Sequence, residues 1–147
     1  MQSLTTSFKV EILKGLHAFG TSVIRAGTTA DTFRVALYTS SATMDATTTA
    51  YSVTNEVSGT NYTAGGEAIT IVTAPTSTST TAWMDFTDVT WATSTITARG
   101  ALIYNDTSSG NLAVGVLDFG SDKTSTAGNF SIIFPAGDST SAIIRIS

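Results

Sequence analysis

Residues 31–38 read DTFRVALY, and this stretch decides the fold class. Phe33, Val35 and Leu37 alternate with polar or small residues, which is the period-two pattern of a β-strand with one buried face. Short stretches of the same character recur as far as residue 146, separated by clusters of Gly, Pro, Ser, Thr and Asn. The pattern predicts an all-β fold, an antiparallel β-sandwich or barrel of about seven or eight short strands over residues 31–147.

Only the beginning of the chain has a helical pattern. Large apolar residues recur at steps of three or four from residue 8 to residue 23, and hydroxyl residues at positions 5–7 offer N-caps. The spacing predicts one amphipathic α-helix over about residues 5–26, although Gly15 within it is unfavourable. This helix would cover the sheet or dock on a neighbouring subunit. The candidate partner-contact residues on its apolar stripe are Phe8, Ile12, Leu16 and Phe19.

The composition is that of a neutral polar protein. The 147 residues fit a single domain over residues 1–147, and the absence of cysteine excludes disulfides and thiolate metal sites. Charged residues make up only 12% of the chain, whereas Thr and Ser make up about a third. Thr favours strands, and a Thr-rich surface can lie against another protein without burying an unpaired ion.

The charge balance argues against two classes of partner. The formal net charge is −4, and the seven Lys and Arg residues are spread thinly, so we expect no nucleic-acid partner. No apolar run approaches the length of a membrane span, so we expect no membrane partner. Lys9, Glu11 and Lys14 interrupt the region where a signal peptide would be apolar, and we therefore expect folding in the cytoplasm.

Groups that carry out catalysis are scarce. His17 is the only histidine, and the chain has no nucleophile elbow, no phosphate-binding loop and no metal-binding His pair. We therefore expect no enzymatic activity, no catalytic residue, no cofactor and no metal. Asp118, Ser121 and Asp122 could supply oxygen ligands to calcium, but their spacing matches no dedicated calcium loop, and solvated loops with Asx-turns are the favoured explanation.

An aromatic cluster offers a binding alternative. Trp83, Phe86 and Trp91 lie close together in the sequence, and an exposed aromatic platform could stack on sugar rings. The alternation of this region places the three side chains on both faces of the sheet, which is typical of core residues. A glycan-binding receptor module is therefore the less favoured interpretation.

Two further features bear on the fold and on contacts. Residues 39–54 are polar and lack periodicity, which predicts a long surface loop that is either solvated or reaches a neighbouring subunit. Gly100 lies inside a strand pattern and predicts a bulge or a close backbone approach. Ile143, Ile144 and Ile146 predict a final strand that is held in a sheet.

Five segments of the chain resemble small virion structural proteins of tailed bacteriophages: residues 7–17, 31–40, 62–66, 96–105 and 118–122. The segments follow the same order and span nearly the whole chain. The resemblance includes no catalytic motif. It implies a structural component of the virion that is assembled in the cytoplasm of a bacterial host.

Within this class we expect a capsid decoration or cement protein, which stabilises the head by bridging capsid subunits. A tail, adaptor or fibre-associated protein is the alternative. The resemblance implies the major capsid protein or other virion proteins as partners, and a homo-oligomer, a trimer or a dimer. A protein that binds the assembled shell but not its separated subunits stabilises the shell by linkage.

Overall fold

The structure, a computed structural model, describes residues 4–15, 19 and 29–147. Strands predominate, and all their pairings are antiparallel, so the predicted all-β antiparallel class is confirmed. Both sheets have open edges within this part of the chain, so the predicted alternative of a closed barrel is wrong. The elements are α1 Thr6–Leu13, β1 Phe33–Tyr38, β2 Glu67–Ile69, β3 Ile71–Thr78, β4 Thr81–Phe86, β5 Val89–Asn105, β6 Ala113–Ile132 and β7 Ile144–Ile146.

The chain divides into two compact units. Unit 1 comprises Met1–Ala30, Thr70–Thr87 and Ile133–Ser147, and contains α1 and a three-stranded sheet of order β3-β4-β7. Unit 2 comprises Asp31–Ile69 and Asp88–Ile132, and contains a four-stranded sheet of order β2-β1-β5-β6. The single domain over residues 1–147 and the packing of the strands as a sandwich stay predictions.

Helix α1 ends at Leu13, well before the predicted end near residue 26. Gly15 follows with φ +72°, a left-handed conformation that glycine adopts at little cost and that commonly ends helices. A continuous amphipathic helix across Gly15 is therefore not confirmed. His17 and most of the predicted span beyond it lie outside the described residues.

The sheet of unit 1 includes a proline within a strand. The sequence predicts a break from Pro75 onward, whereas β3 continues through it to Thr78. Proline is tolerated here because β3 is an edge strand and its pairing with β4 slips between Thr73 and Thr76. On the other side of β4, strand β7 pairs with residues 82–84, which confirms the predicted C-terminal strand.

The sheet of unit 2 is dominated by a long hairpin. Strand β5 has 17 residues and β6 has 20. The sequence pattern predicts separate short strands instead, over residues 89–91 and 96–104 in the first region and over residues 112–119 and 130–134 in the second. The turn-forming residues between those short strands are accommodated as bulges. Thr93, with φ +51°, lies at one irregularity, and residues 119–122 of β6 lie opposite Arg99 alone at another.

Gly100 lies where the two backbones of this hairpin approach each other. A Cβ atom at this position would lie 2.6 Å from the carbonyl oxygen of Leu117, and the register shifts between Ala98 and Gly100. The close approach predicted from the sequence is therefore confirmed.

Strand β1 is buried on both faces, although its alternation predicts only one buried face. The four residues from Val35 to Tyr38 are all buried. The second face belongs to a small apolar cluster, and its members Ala36, Tyr38, Leu102 and Tyr104 are packed against Ala42, Met44 and Tyr51 of the following loop. The loop over residues 39–54 is thus partly a cover for this face.

Candidate functional site

The predicted partner-contact residues lie on unit 1 and are exposed wherever the structure describes their side chains. Phe19 is 79% exposed and Ile12 is 39% exposed. Phe8 and Leu16 lie outside the side chains that the structure describes. Other large apolar residues of unit 1 are also exposed, namely Leu4, Val72 and Ile133. Exposed apolar side chains are typical of an interaction surface where they form a contiguous patch.

A second candidate region is the segment over residues 39–66, here called the covering loop, which is held to the sheet through Glu56. Tyr51 donates a hydrogen bond to Oε2 of Glu56 at 2.7 Å. Oε1 accepts hydrogen bonds from the Tyr62 hydroxyl at 2.7 Å and from the backbone N–H of Gly65 at 2.8 Å. The half-buried carboxylate therefore joins the middle and the end of the loop.

Side chains of strands β1 and β5 hold the end of the covering loop by hydrogen bonds to its backbone carbonyl oxygens. Arg34 donates from Nε to the carbonyl oxygen of Gly65 at 3.1 Å and from Nη2 to that of Gly66 at 2.6 Å. Tyr104 also donates to the Gly65 carbonyl oxygen, at 2.8 Å. The sequence signal for this site is the Gly65-Gly66 pair, since both residues have positive φ.

Tyrosines beside and within the covering loop have raised pKa values. Burial raises the pKa of Tyr38 to about 12, although its hydrogen bond to the Ser52 carbonyl oxygen acts in the opposite direction. Burial and then the hydrogen bond to Glu56 raise the pKa of Tyr51 and of Tyr62. Phenols with raised pKa values remain neutral donors, which suits a structural role.

Residues of the covering loop line two open cavities. One of about 250 Å³ lies between the loop and the β5–β6 hairpin, and another of about 480 Å³ lies within the loop itself. At the first, Arg99 and Asp118 form an exposed ion pair at 3.5 Å. Neither His nor Cys lines these cavities, and their walls are mainly hydroxyl and small apolar side chains. The cavities therefore offer a polar contact surface beside the covering loop.

Two of the three residues considered for calcium, Asp118 and Ser121, have local partners. Oδ1 of Asp118 accepts a hydrogen bond from the Gly120 N–H at 2.8 Å, and this bond, with a smaller contribution from Arg99, lowers the pKa of the carboxyl. Ser121 accepts a hydrogen bond from Lys123 at 2.9 Å. Across the described residues, no three His, Cys, Asp or Glu side chains are grouped so that they could hold a metal ion.

The aromatic cluster is largely core. Trp91 is 2% exposed and its ring lies 5.8 Å from that of Tyr62 and 6.1 Å from that of Phe130, measured between centroids. Phe86 is buried, and half-buried Trp83 donates from Nε1 to the Thr78 hydroxyl at 3.3 Å. Trp91 and Phe86 therefore do not form the exposed platform that a sugar ring would need.

The exposed face of the β5–β6 hairpin is covered by paired hydroxyl groups. Thr90 and Ser131 lie 2.7 Å apart, and Thr97 and Thr124 lie 2.9 Å apart, measured between hydroxyl oxygens. Residues 124–132 of β6 carry no charged side chain, and β6 is the edge of its sheet. Sequence analysis missed this feature, because the pattern alone does not reveal which strand lies at an edge.

Comparison with known proteins gives no match: neither a protein-family model, nor a curated protein, nor a solved structure is significantly similar to this chain. Among the described residues, no helix has the length and apolar character needed to cross a membrane.

Proposed function

We propose that this chain is a structural protein of a tailed-bacteriophage virion, and that it decorates the capsid and stabilises the head by bridging capsid subunits. The exposure of Phe19, together with that of Leu4 and Ile12 in the same unit, is the observation that carries the proposal. It supports an apolar contact surface in the part of the chain where the sequence predicts partner contacts. The resemblance to small virion proteins supplies the class.

The stabilisation follows from burial on the assembled shell. Covering a fully exposed Phe, Leu or Ile side chain contributes about 1.5–3 kcal/mol, and a partly buried one such as Ile12, which is 39% exposed, contributes proportionately less. This free energy is gained only on the assembled shell when the surface spans two capsid subunits, so it opposes their separation. Repetition by capsid symmetry and by self-association, as a dimer or a trimer, multiplies weak contacts into firm attachment.

Immunogold electron microscopy of purified virions tests the location. We expect label distributed over the head. Label confined to the tail would favour a tail, adaptor or fibre-associated protein, and its absence from particles that contain the other virion proteins would overturn the proposal.

Exchange of single side chains tests the contact surface. We expect Phe19→Asp to lower incorporation into particles by at least about tenfold, because a charge replaces an apolar side chain that attachment to the shell would bury. Leu112→Asp is the matched control, since Leu112 is exposed but belongs to unit 2. Equal incorporation of the two variants would contradict a contact surface on unit 1.

A further inference from the structure

The outer edge of β6 is the longest unpaired strand edge in the part of the chain that the structure describes. Strand β5 is its only neighbour in the sheet. Pairing with the covering loop is confined to its beginning, where the Ala113 N–H donates to the Thr49 carbonyl oxygen at 2.9 Å. The bulge over residues 119–122 interrupts its middle. The last segment, residues 124–132, retains an edge of about 30 Å.

This last segment lacks the charged residues and prolines that often protect a strand edge. Thr126 and Ala127 both lie opposite Thr95 and form a bulge at its centre, where Ala127 has φ +46° and donates its N–H to the Thr95 hydroxyl at 2.9 Å. Thr124, Thr126, Asn129 and Ser131 are exposed, whereas Ser125 and Phe130 are buried. Such an edge is suited to pairing with another strand.

We infer that residues 124–131 of β6 pair with the same residues of a second copy, antiparallel about a two-fold axis between Ala127 and Gly128. In this register Thr126 lies opposite Asn129 of the second copy, and Thr124 lies opposite its Ser131. Exposed positions then meet exposed positions, and buried Ser125 meets buried Phe130. A register one residue away would mix the two faces.

Charge identifies the second copy as the occupant. The chain has a formal net charge of −4, so two copies repel each other unless their contact avoids the eleven acidic residues. Residues 124–132 contain none of these acids, and two-fold pairing places neutral hydroxyl and amide groups together. The isologous arrangement is also the commonest symmetry of homo-oligomers. The inference rests on the self-association in the proposed function and gives it a surface.

Two double variants at the same positions test the interface. Thr126→Lys with Asn129→Lys places Lys opposite Lys twice across the axis, whereas Thr126→Lys with Asn129→Glu places Lys opposite Glu twice. Both variants replace Asn129, whose Oδ1 accepts from the Thr93 N–H at 3.4 Å, and denaturant unfolding of each variant measures any difference in stability between them. We expect sedimentation equilibrium to show about tenfold weaker association for the Lys/Lys variant than for the Lys/Glu variant.

Net charge alone predicts the opposite order, since the Lys/Lys variant is closer to neutral. Equal association of the two variants, tighter association of the Lys/Lys variant, or a monomeric wild type overturns the edge interface. The proposed function is measured separately through the presence of the wild type in virions. A monomer found on the particle would leave that function standing, whereas the expected dimer absent from particles would overturn the function alone.

Discussion

The hydroxyl of Tyr62 donates a hydrogen bond of 2.7 Å to Oε1 of Glu56 and accepts one of 2.8 Å from the backbone N–H of Leu37. This phenol thus connects the carboxylate that organises the covering loop to the central strand β1. The loop is fixed in place by these bonds as well as by its apolar contacts, which gives the surface beside the β5–β6 hairpin a defined shape.

Tyr62→Phe should therefore destabilise the protein without removing apolar packing. The variant loses a hydrogen bond to a charged group and leaves the Leu37 N–H without its phenol partner, and we expect a cost of about 1.5–3 kcal/mol in the free energy of unfolding. Denaturant unfolding measures the change. Thr63→Ala, at an exposed neighbouring position, should stay within about 0.5 kcal/mol of the wild type. Equal values for the two variants would contradict the role of Tyr62.

Alkaline pH should weaken the same region. Burial raises the pKa of Tyr38 to about 12, whereas a tyrosine in the unfolded chain titrates near 10. The unfolded state therefore loses its proton first, and stability falls as pH rises above about 10 until the folded phenol titrates near 12. Thermal unfolding across this range should show a falling melting temperature. Tyr38→Phe should reduce the slope, and an unchanged slope would contradict a contribution from Tyr38.

Alanine variants of Gly66 and Gly110 distinguish the cost of a steric clash from the cost of a strained backbone. Both glycines have positive φ, +66° and +86°, but a Cβ on Gly66 would lie 1.8 Å from the Val35 carbonyl oxygen, whereas a Cβ on Gly110 meets nothing within 4 Å. We expect Gly110→Ala to cost about 1–2 kcal/mol and Gly66→Ala to cost more than about 3 kcal/mol. Chemical denaturation compares them. Similar values would show that Gly66 is not confined by β1.

Local patterns were sufficient for some features of the fold. The alternation in Phe33–Tyr38 predicts β1, and Gly100 predicts a bulge or a close backbone approach because a glycine weakens a strand unless another backbone needs the space. The structure identifies Leu117 as the residue that approaches. The same alternation misplaces Ala36, which is buried because the covering loop lies over the second face. That burial depends on contacts between distant residues, which periodicity does not encode.

Less of the candidate contact surfaces could be predicted from the sequence. The apolar stripe predicted Ile12 and Phe19 as contact residues, and both side chains are exposed in the structure. Glu56 gave no signal, since its partners Tyr62 and Gly65 become adjacent to it only after the loop folds back. The edge at residues 124–132 could not be predicted either. Turn-forming residues within β6 make the sequence look like two separate strands, whereas the structure accommodates them as bulges in one strand.

Ser94 and Ser125 form the buried polar contact of the long hairpin, with their hydroxyl oxygens 2.7 Å apart. Ser94→Ala leaves the hydroxyl of Ser125 without this partner away from solvent, whereas after Ser125→Ala the Ser94 hydroxyl still donates to the Gly128 carbonyl oxygen at 3.2 Å. Ser94→Ala should therefore cost about 1–2 kcal/mol, and Ser125→Ala should cost less. The double variant should cost less than the sum of the two, because it removes both polar groups together.

Thr97 and Thr124 provide the comparison for this double-mutant cycle. Their hydroxyl oxygens lie 2.9 Å apart on the same two strands, but the contact is exposed, so water can replace either partner. We expect an interaction energy of about 1 kcal/mol for the serine pair and nearly none for the threonine pair, measured with alanine variants by denaturant unfolding. Equal interaction energies would mean that burial does not govern the contact. Loss of the serine pair would then be no more damaging than loss of a surface hydroxyl, and the hairpin would owe its stability to its backbone ladder and apolar contacts alone.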